Sequence, residues 1–383
     1  MSETSLPPTG TVHWIGTGLS TGPSGLRVLI DNAAKLVLWG RTTDRAEQVL
    51  RRFGLSGKAE TRAYDPSALA AELRAGDVVI SMLPGTEHAT LLGLCVEHRA
   101  HFACTSYVSD PIAALSHDAE QAGLVVLTEA GLDPGIDHLF ADLLVAKAQA
   151  AVGDLPVTAE FTSYCGGIPA VANEFRYRFS WAPRGVLNAL LAPARYLEDG
   201  EERTVDHPWE ATHPHAVDNE PFEVYPNRDS IPYISQYAFP PTWRLDRFVR
   251  GTLRLEGWHK AWSAVFDELL TGDSARVAAL AGDLAARYPT TESDRDRVIL
   301  TVALNLHADG KPQWSGEYLL DVTGDAEESA MARCVSLPLA YGITQILRQQ
   351  FPPGLHQAAP TPEAADDWLS FLRTNIPIRS SVD

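Results

Sequence analysis

Along the first third of the chain, short apolar runs alternate with stretches whose apolar residues recur every three or four positions. The runs at 11–15, 35–39, 77–82, 101–104 and 124–128 have strand length, and 23–34, 44–53 and 87–97 carry the helical period. Apolar strands separated by helices of about 10 to 15 residues predict a parallel, doubly wound sheet. Between Phe161 and Arg254 that rhythm stops, and aromatic, Arg-rich and Pro-rich segments of alternating polarity take over. A second domain therefore begins near Gly135. Residues 259–288 return to helical spacing as a small insert, Asp309-Gly310 between runs at 297–307 and 315–321 predicts a hairpin turn, and 337–349 predicts a last helix packing back on the first domain. The tail from Phe351 is Pro-rich and partly acidic. The expected fold class is α/β, with one domain over 1–134 joined by 335–383, and a mixed α+β domain over 135–334 with a helical insert at about 257–290.

The first apolar run ends in Gly16-Thr17-Gly18-Leu19-Ser20-Thr21-Gly22-Pro23, a GxG turn that opens a helix. Glycines there let backbone approach a pyrophosphate, and the helix start supplies free N–H groups and a positive dipole end. Thr21 stands where the fingerprint has a third Gly or Ala, so the string alone is weak. Its place between a strand and a helix at the head of a βα series makes the first domain Rossmann-like and nucleotide-binding. An NAD site would put a carboxylate at the end of the second strand, but this chain has Trp39-Gly40-Arg41-Thr42-Thr43. Arg41 can pair with a 2′-phosphate and Thr42 adds a hydroxyl, which favours NADP.

Ligands of doubly wound sheets lie beyond the carboxyl ends of the strands. The residues there are Leu83-Pro84-Gly85-Thr86-Glu87-His88, Thr105-Ser106-Tyr107-Val108-Ser109, and Glu129-Ala130-Gly131-Leu132-Asp133-Pro134-Gly135-Ile136-Asp137-His138. Singly they are ordinary turn chemistry; together they form a polar mouth. His88 reads as a helix-start residue or a ribose contact, without a catalytic role.

Charge and composition narrow the partners. The chain has 383 residues, a formal charge of -18 and 45% apolar residues, which excludes a disordered protein and disfavours nucleic acid and anionic membrane. No apolar run approaches the ~18 residues of a membrane span, and no Lys or Arg precedes Arg27 to serve a signal peptide. A cytosolic setting is expected. The cysteines Cys95, Cys104, Cys165 and Cys334 lack metal or disulfide spacing and are expected to be reduced thiols. His207, His213 and His215 have no acidic or Cys partners at ligand spacing, so they read as a loop and no metal is expected.

Six strings in order make the chain resemble the saccharopine reductase family, the saccharopine dehydrogenases of the NADP-dependent, L-glutamate-forming type. They are Thr105-Ser106-Tyr107-Val108-Ser109, GLDPGIDHL from Gly131, SYCGG from Ser163, FSWxxRGVL from Phe179, YPNRDS from Tyr225 and RGTLR from Arg250. The resemblance implies that L-glutamate and 2-aminoadipate 6-semialdehyde condense and that NADPH reduces the imine to saccharopine, or the reverse, in lysine metabolism. It places Gly16, Gly18, Leu19 and Ser20 on the pyrophosphate, and Arg41 and Thr42 on the 2′-phosphate. Leu83, Pro84, Thr105, Leu132, Pro134, Gly135, Asp137 and His138 fall on the nicotinamide side. The substrate side takes Ser106, Tyr107, Asp133, Arg184, Arg228, Thr252, Leu253 and Arg254, with Tyr107, Asp133 and Cys165 influencing catalysis. A homodimer is also implied.

A substrate with three carboxylates needs forked cations, and residues 228–254 hold five Arg against two Asp in an otherwise acidic chain. Arg228 and Arg254 are the expected ligands, with Arg184 and Arg250 as further candidates. Cys165 also reads as a small residue fitted beside the substrate. The chain departs from the family pattern at Ile168 to Phe175, which is shorter and lacks the usual prolines, and at Gly85, where an aromatic is usual. Two alternatives remain. One is a related imine-forming reductase such as carboxynorspermidine dehydrogenase, which would want acids where Arg228 and Arg254 stand. The other is a non-catalytic NADP-sensing protein, which would be expected to lose Tyr107, Asp133 or the arginines.

Overall fold

A computed structural model describes residues 5–382 apart from 272 and 292. The chain divides into two compact units, Met1–Leu139 with Ala332–Thr374 and Phe140–Met331 with Asn375–Asp383.

The first unit opens with β1 (Thr11–Ile15), α1 (Pro23–Asn32), β2 (Lys35–Gly40), α2 (Thr43–Arg52), β3 (Glu60–Ala63) and α3 (Pro66–Glu72). It continues through β4 (Val78–Ser81), α4 (Gly85–His98), β5 (His101–Cys104), α5 (Asp110–Gln121) and β6 (Val125–Thr128). These strands pair in parallel in the order β6-β5-β4-β1-β2-β3. The order reverses between β1 and β4, which makes that the point where a doubly wound sheet binds its ligand. Val12, Trp14, Leu38, Val79, Ile80, Phe102 and Val126 are buried, as strands covered on both faces require. One polar thread crosses this interior. Trp39 Nε1 donates to His13 Nδ1 (3.1 Å), so the His13 proton is on Nε2, which faces Asp77 Oδ2 at 3.2 Å. Asp77 also accepts from Thr9 Oγ1 and from the Arg74 N–H, so its buried carboxylate is satisfied.

The helix α6 (Ile136–Val152) carries the chain into the second unit, whose strands are β7 (Thr158–Pro169), β8 (Ala194–Glu198), β9 (Glu201–Val205), β10 (His213–Val217), β11 (Glu220–Pro226), β12 (Arg244–Leu255), β13 (Asp296–Ala308) and β14 (Lys311–Thr323). Its helices are α7 (Pro183–Leu191), α8 (Pro232–Gln236), α9 (Trp258–Ala261), α10 (Ser263–Leu269) and α11 (Ser274–Arg287). The sheet runs β10-β11-β12-β7-β13-β14, with β8 and β9 hung on β12. Only the β12–β7 pairing in that run is parallel. Asp309 (φ 50°) and Gly310 (φ 71°) are both left-handed at the β13–β14 turn, the geometry a two-residue hairpin needs. Aromatic residues on α9 and α10 pack with Phe175, Tyr177, Phe179 and Trp209 into one cluster. His213 and His215 lie on β10, whereas the sequence reads a loop there; His215 tucks against the Tyr164 ring at 4.9 Å.

The chain then forms α12 (Ala330–Leu347), β15 (Gly354–Gln357), α13 (Pro362–Arg373) and β16 (Ile378–Val382). Asp296 caps α12, its two carboxylate oxygens taking the Ala330 and Met331 N–H groups at 2.8 Å each. The helix is long and apolar enough to cross a membrane, but most of it is buried, as in a core helix. β15 joins the edge of the first sheet beside β6. The segment 335–383, expected as a whole beside the first domain, is divided: β16 pairs antiparallel with β14 in the second sheet. Its polar Arg-Ser-Ser core hides it from a hydrophobicity reading, because an edge strand is held by backbone bonds more than by burial.

Candidate functional site

The first unit presents its polar residues at the strand reversal. Gly16 has φ 123°, and a Cβ there would stand 2.9 Å from Met82 O, so the turn after β1 touches the backbone after β4. Gly18 has open space where a Cβ would be, and Leu19 is exposed. The residue that broke the fingerprint has a structural task. Thr21 Oγ1 donates to Gly16 O (3.2 Å) and accepts from Trp14 Nε1 (3.3 Å), closing the turn with a side chain. Gly22 caps α1 without a side-chain bond, so the helix start keeps N–H groups available to an anion.

Arg41 and Thr42 follow β2 and are exposed, with no carboxylate at the strand end. Thr42 Oγ1 accepts from Arg45 N (3.1 Å) as the cap of α2 and keeps its own proton to donate. These residues fit a 2′-phosphorylated dinucleotide.

Tyr107 and Asp133, named from separate strings, meet: the Tyr107 hydroxyl donates to Asp133 Oδ1 at 2.9 Å. Asp137 and His138, expected beside the nicotinamide, belong to a buried histidine–carboxylate group built on Glu129. Glu129 follows β6 in a left-handed conformation (φ 52°) and straddles Tyr107. Its N–H donates to Ser106 O (3.2 Å) and its carboxylate accepts from Val108 N (3.0 Å) and Gln357 Nε2 (3.1 Å). His138 Nε2 lies 2.8 Å from Glu129 Oε2, and its Nδ1 lies 3.5 Å from Asp137 Oδ2. Asp137 Oδ1 in turn takes the Gly135 N–H at 2.6 Å. Burial alone raises the Glu129 carboxyl; the His138 pairing and the two N–H donors outweigh it and hold the group below the usual carboxylate range. Asp137 and His138 therefore work as buried ties between the Tyr107 loop and the Asp133 loop, where the resemblance implied contacts to nicotinamide. Leu132, Pro134 and Gly135 are buried as well, and Asp133 is the part-exposed residue of that string.

His88 is also tied in. Its Nδ1 lies 2.8 Å from Ser81 Oγ and its Nε2 2.8 Å from Ser106 Oγ. Burial lowers its pKa to about 4.

In the second unit, ladder register sorts the candidates. Thr252 is opposite Cys165 on β7 and Tyr225 on β11, and Arg250 is opposite Ser163. Side chains two apart share a sheet face, so Arg250, Thr252, Arg254, Cys165 and Tyr225 lie on one face. Leu253 points to the other, fully buried in a cluster with Tyr164, Ile168, Val224 and Ile299. Its expected substrate contact is thus not available to its side chain. Gly166 belongs to the same packing: a Cβ there would stand 2.3 Å from Leu253 O.

Arg254 is 6% exposed. Its guanidinium carbon sits 5.0 Å from the Tyr177 ring centre and 5.6 Å from those of Tyr225 and Trp258. Nη1 donates to Leu253 O (3.1 Å), and Nε is buried without a hydrogen-bond partner. Among the described residues no carboxylate pairs with it. Glu223, directly opposite in the ladder, is occupied with the Gly257 and His259 N–H groups at 3.0 and 2.8 Å. Burial raises the Tyr177 and Tyr225 hydroxyls above their ordinary range despite the nearby cation, so they stay protonated.

The other cations divide. Arg250 is buried with its guanidinium 3.9 Å above the Tyr233 ring. Arg247 pairs with Glu198 and Arg244 with Asp246, so part of the local Arg excess is structural. Arg228 is left-handed (φ 57°) in a turn pinned by Arg195, whose N–H donates to Arg228 O and whose guanidinium forks onto Asp229. Arg184 is exposed near the start of α7.

Comparison with known proteins matches these two sets of residues to two adjoining models. Residues 12–127 match the saccharopine dehydrogenase NADP binding domain, and residues 131–376 the saccharopine dehydrogenase C-terminal domain. The chain belongs to the saccharopine dehydrogenase family. Among curated relatives it is 38% identical over 256 residues to the NADP-dependent, L-glutamate-forming saccharopine dehydrogenase of Pyricularia oryzae, covering 65% of this chain and 55% of that one. To the enzyme of the same name from Schizosaccharomyces pombe it is 36% identical over 224 residues, covering 57% and 48%. The matched stretches thus span about half the length of these relatives. The solved apo L-glutamate-forming saccharopine dehydrogenase of Saccharomyces cerevisiae superposes with a TM-score of 0.80 at 25% identity, over 97% of this chain and 99% of that one. Within the saccharopine dehydrogenase family, then, this chain keeps an NADP-binding domain whose glycine turn is closed by Thr21.

Proposed function

We propose that the protein interconverts saccharopine with L-glutamate and 2-aminoadipate 6-semialdehyde, using NADP(H), in lysine metabolism, as a cytosolic homodimer. The observation that carries this reading is Arg254: a buried cation with an orphaned N–H and, among the described residues, no carboxylate of its own suits an acidic substrate. It disfavours a polyamine substrate, and the intact Tyr107–Asp133 pair disfavours a protein that only senses NADP.

In the oxidative direction, bound NADP+ would supply the hydride acceptor for the carbon at which the saccharopine secondary amine is oxidised. The chain's residues do the rest. Gly16, Gly18 and the start of α1 receive the pyrophosphate, and Arg41 with Thr42 the 2′-phosphate. Tyr107 fixes one oxygen of Asp133, leaving the carboxylate oriented to stabilise the positive charge on the substrate nitrogen as the C=N bond forms. Water then adds to that carbon, the nitrogen is protonated, and the C–N bond breaks to give L-glutamate and the semialdehyde. Arg254 holds a substrate carboxylate through this sequence.

The test is spectrophotometric: NADP reduction by saccharopine at alkaline pH, with NAD, other opines and carboxylated polyamines in parallel. Turnover with saccharopine and NADP is expected, and no turnover with any of them refutes the enzyme reading. Arg41→Ala is expected to raise the KM for NADP by about tenfold or more, the loss of one charge-assisted contact, while leaving the KM for NAD nearly unchanged. Equal effects on both cofactors would remove Arg41 from the phosphate site.

A further inference from the structure

His88, in the first turns of α4, lies between the end of β4 and the loop after β5, joined on one side to Ser81 and on the other to Ser106. We propose that His88 is a positioning residue whose ring, fixed by Ser81, leaves the Ser106 hydroxyl as a hydrogen-bond donor toward the substrate. This rests on the proposed function for the identity of the substrate, but the direction of the hydroxyl follows from the hydrogen-bond geometry and the burial of the ring.

Ser81 is fully buried, and among the described residues its hydroxyl has His88 Nδ1 as its side-chain partner, at 2.8 Å. Either Ser81 donates to Nδ1, or a proton on Nδ1 points at Ser81 Oγ. The second arrangement leaves the Ser81 hydroxyl proton in the interior with nothing to bond, a larger loss than an oxygen with spare lone pairs. Ser81 therefore donates. The imidazole is neutral, because burial holds its pKa far below neutrality, so its one N–H is on Nε2. That N–H donates to Ser106 Oγ across 2.8 Å and fills an acceptor site there. The Ser106 proton is left to point away from the ring, next to Tyr107, and its natural acceptor in an acidic substrate is a carboxylate oxygen. A reversed ring would make Ser106 donate to His88 and offer the substrate only lone pairs, which repel a carboxylate.

Nitrogen-15 NMR of the full-length protein with labelled histidine tests the ring directly, His88 being assigned by the signal lost in His88→Gln. A neutral Nε2–H tautomer, unchanged from about pH 6 to 9, is expected. An Nδ1–H tautomer, or an imidazolium at neutral pH, would overturn the proposal. In kinetics, His88→Leu is expected to raise the KM for saccharopine about tenfold with kcat and the NADPH dissociation constant little changed, since Ser106 would act on bound substrate and transition state alike. His88→Gln, which can restore a donor near the Nε2 position, should recover most of that loss. The double variant with Ser106→Ala should be no worse than Ser106→Ala alone. Additive losses, or a His88→Leu effect confined to melting temperature, would assign the ring to structure only. If the wild-type protein turns over no saccharopine, the functional reading fails; the tautomer still decides which way the Ser106 hydroxyl points.

Discussion

Replacing Arg254 by Met is expected to raise the KM for saccharopine by about 100-fold or more while leaving the melting temperature unchanged or slightly higher. The two halves of that result come from one electrostatic argument. Removing a buried cation from its carboxylate partner costs about 2 to 5 kcal/mol of binding. In the free protein, however, Arg254 has no carboxylate among the described residues, and three aromatic contacts of about 0.5 to 2 kcal/mol each must offset a desolvation cost of several kcal/mol. An apolar side chain of similar length removes that desolvation and keeps the packing, as replacement of other buried charges has done. Arg254→Lys keeps the charge but loses the fork, and should recover only part of the affinity. Steady-state kinetics and thermal unfolding of the same preparations check this. A fall in melting temperature with an unchanged KM would make Arg254 a cation held by its aromatic neighbours and nothing more.

The parts of this molecule that could be read from the chain are those whose signal is local. Residues 11–15 and 101–104 are short, mostly apolar runs because parallel strands are covered on both faces, and they coincide with β1 and β5. β3 escaped because Glu-Thr-Arg-Ala at a sheet edge has no apolar pattern to recognise. For α3 and α5 the signal was present: Asp65-Pro66 and Asp110-Pro111 put Pro in the first turn, with Asp65 capping the Ser67 and Ala68 N–H groups. The site shows the same division. Tyr107 and Asp133 are legible singly from their strings, but their hydrogen bond joins residues 26 apart in sequence. The box around Arg254 draws Tyr177, Tyr225 and Trp258 from three segments, and Glu129 reaches Gln357 across 228 positions. A buried ionic tie of this kind leaves no periodicity, since its partners are brought together by the strand order and by β15 returning to the first sheet.

Glu129→Gln should accordingly cost both stability and turnover, with a pH dependence that identifies the cause. The substitution keeps shape and an acceptor for Val108 N–H, but leaves His138 without the carboxylate 2.8 Å away. Breaking a buried pair from one side costs about 3 to 5 kcal/mol, a large share of a typical domain's stability of about 5 to 15 kcal/mol. The pH dependence follows from linkage. Because the folded protein holds the Glu129 carboxyl below its ordinary value, the unfolded chain binds the proton more readily, and the ionised group stabilises the fold at any pH above the ordinary carboxylate range. That contribution is lost as pH falls through the lowered folded value. Urea unfolding should therefore show wild type and Glu129→Gln far apart at pH 7 and converging in acid. A gap independent of pH would mean that the side chain matters for packing alone. The catalytic consequence runs through Tyr107, since Glu129 holds the residues on either side of it by the Ser106 carbonyl and the Val108 N–H. His138 and Asp137 extend the same tie to the loop that carries Asp133. A loosened tie lets Tyr107 and Asp133 drift from their 2.9 Å contact, so under the proposed mechanism kcat should fall by about tenfold or more with the NADPH dissociation constant nearly unchanged. His138→Asn, which removes the other partner, should reproduce both losses, and combining it with Glu129→Gln should add little, because the two side chains form one tie.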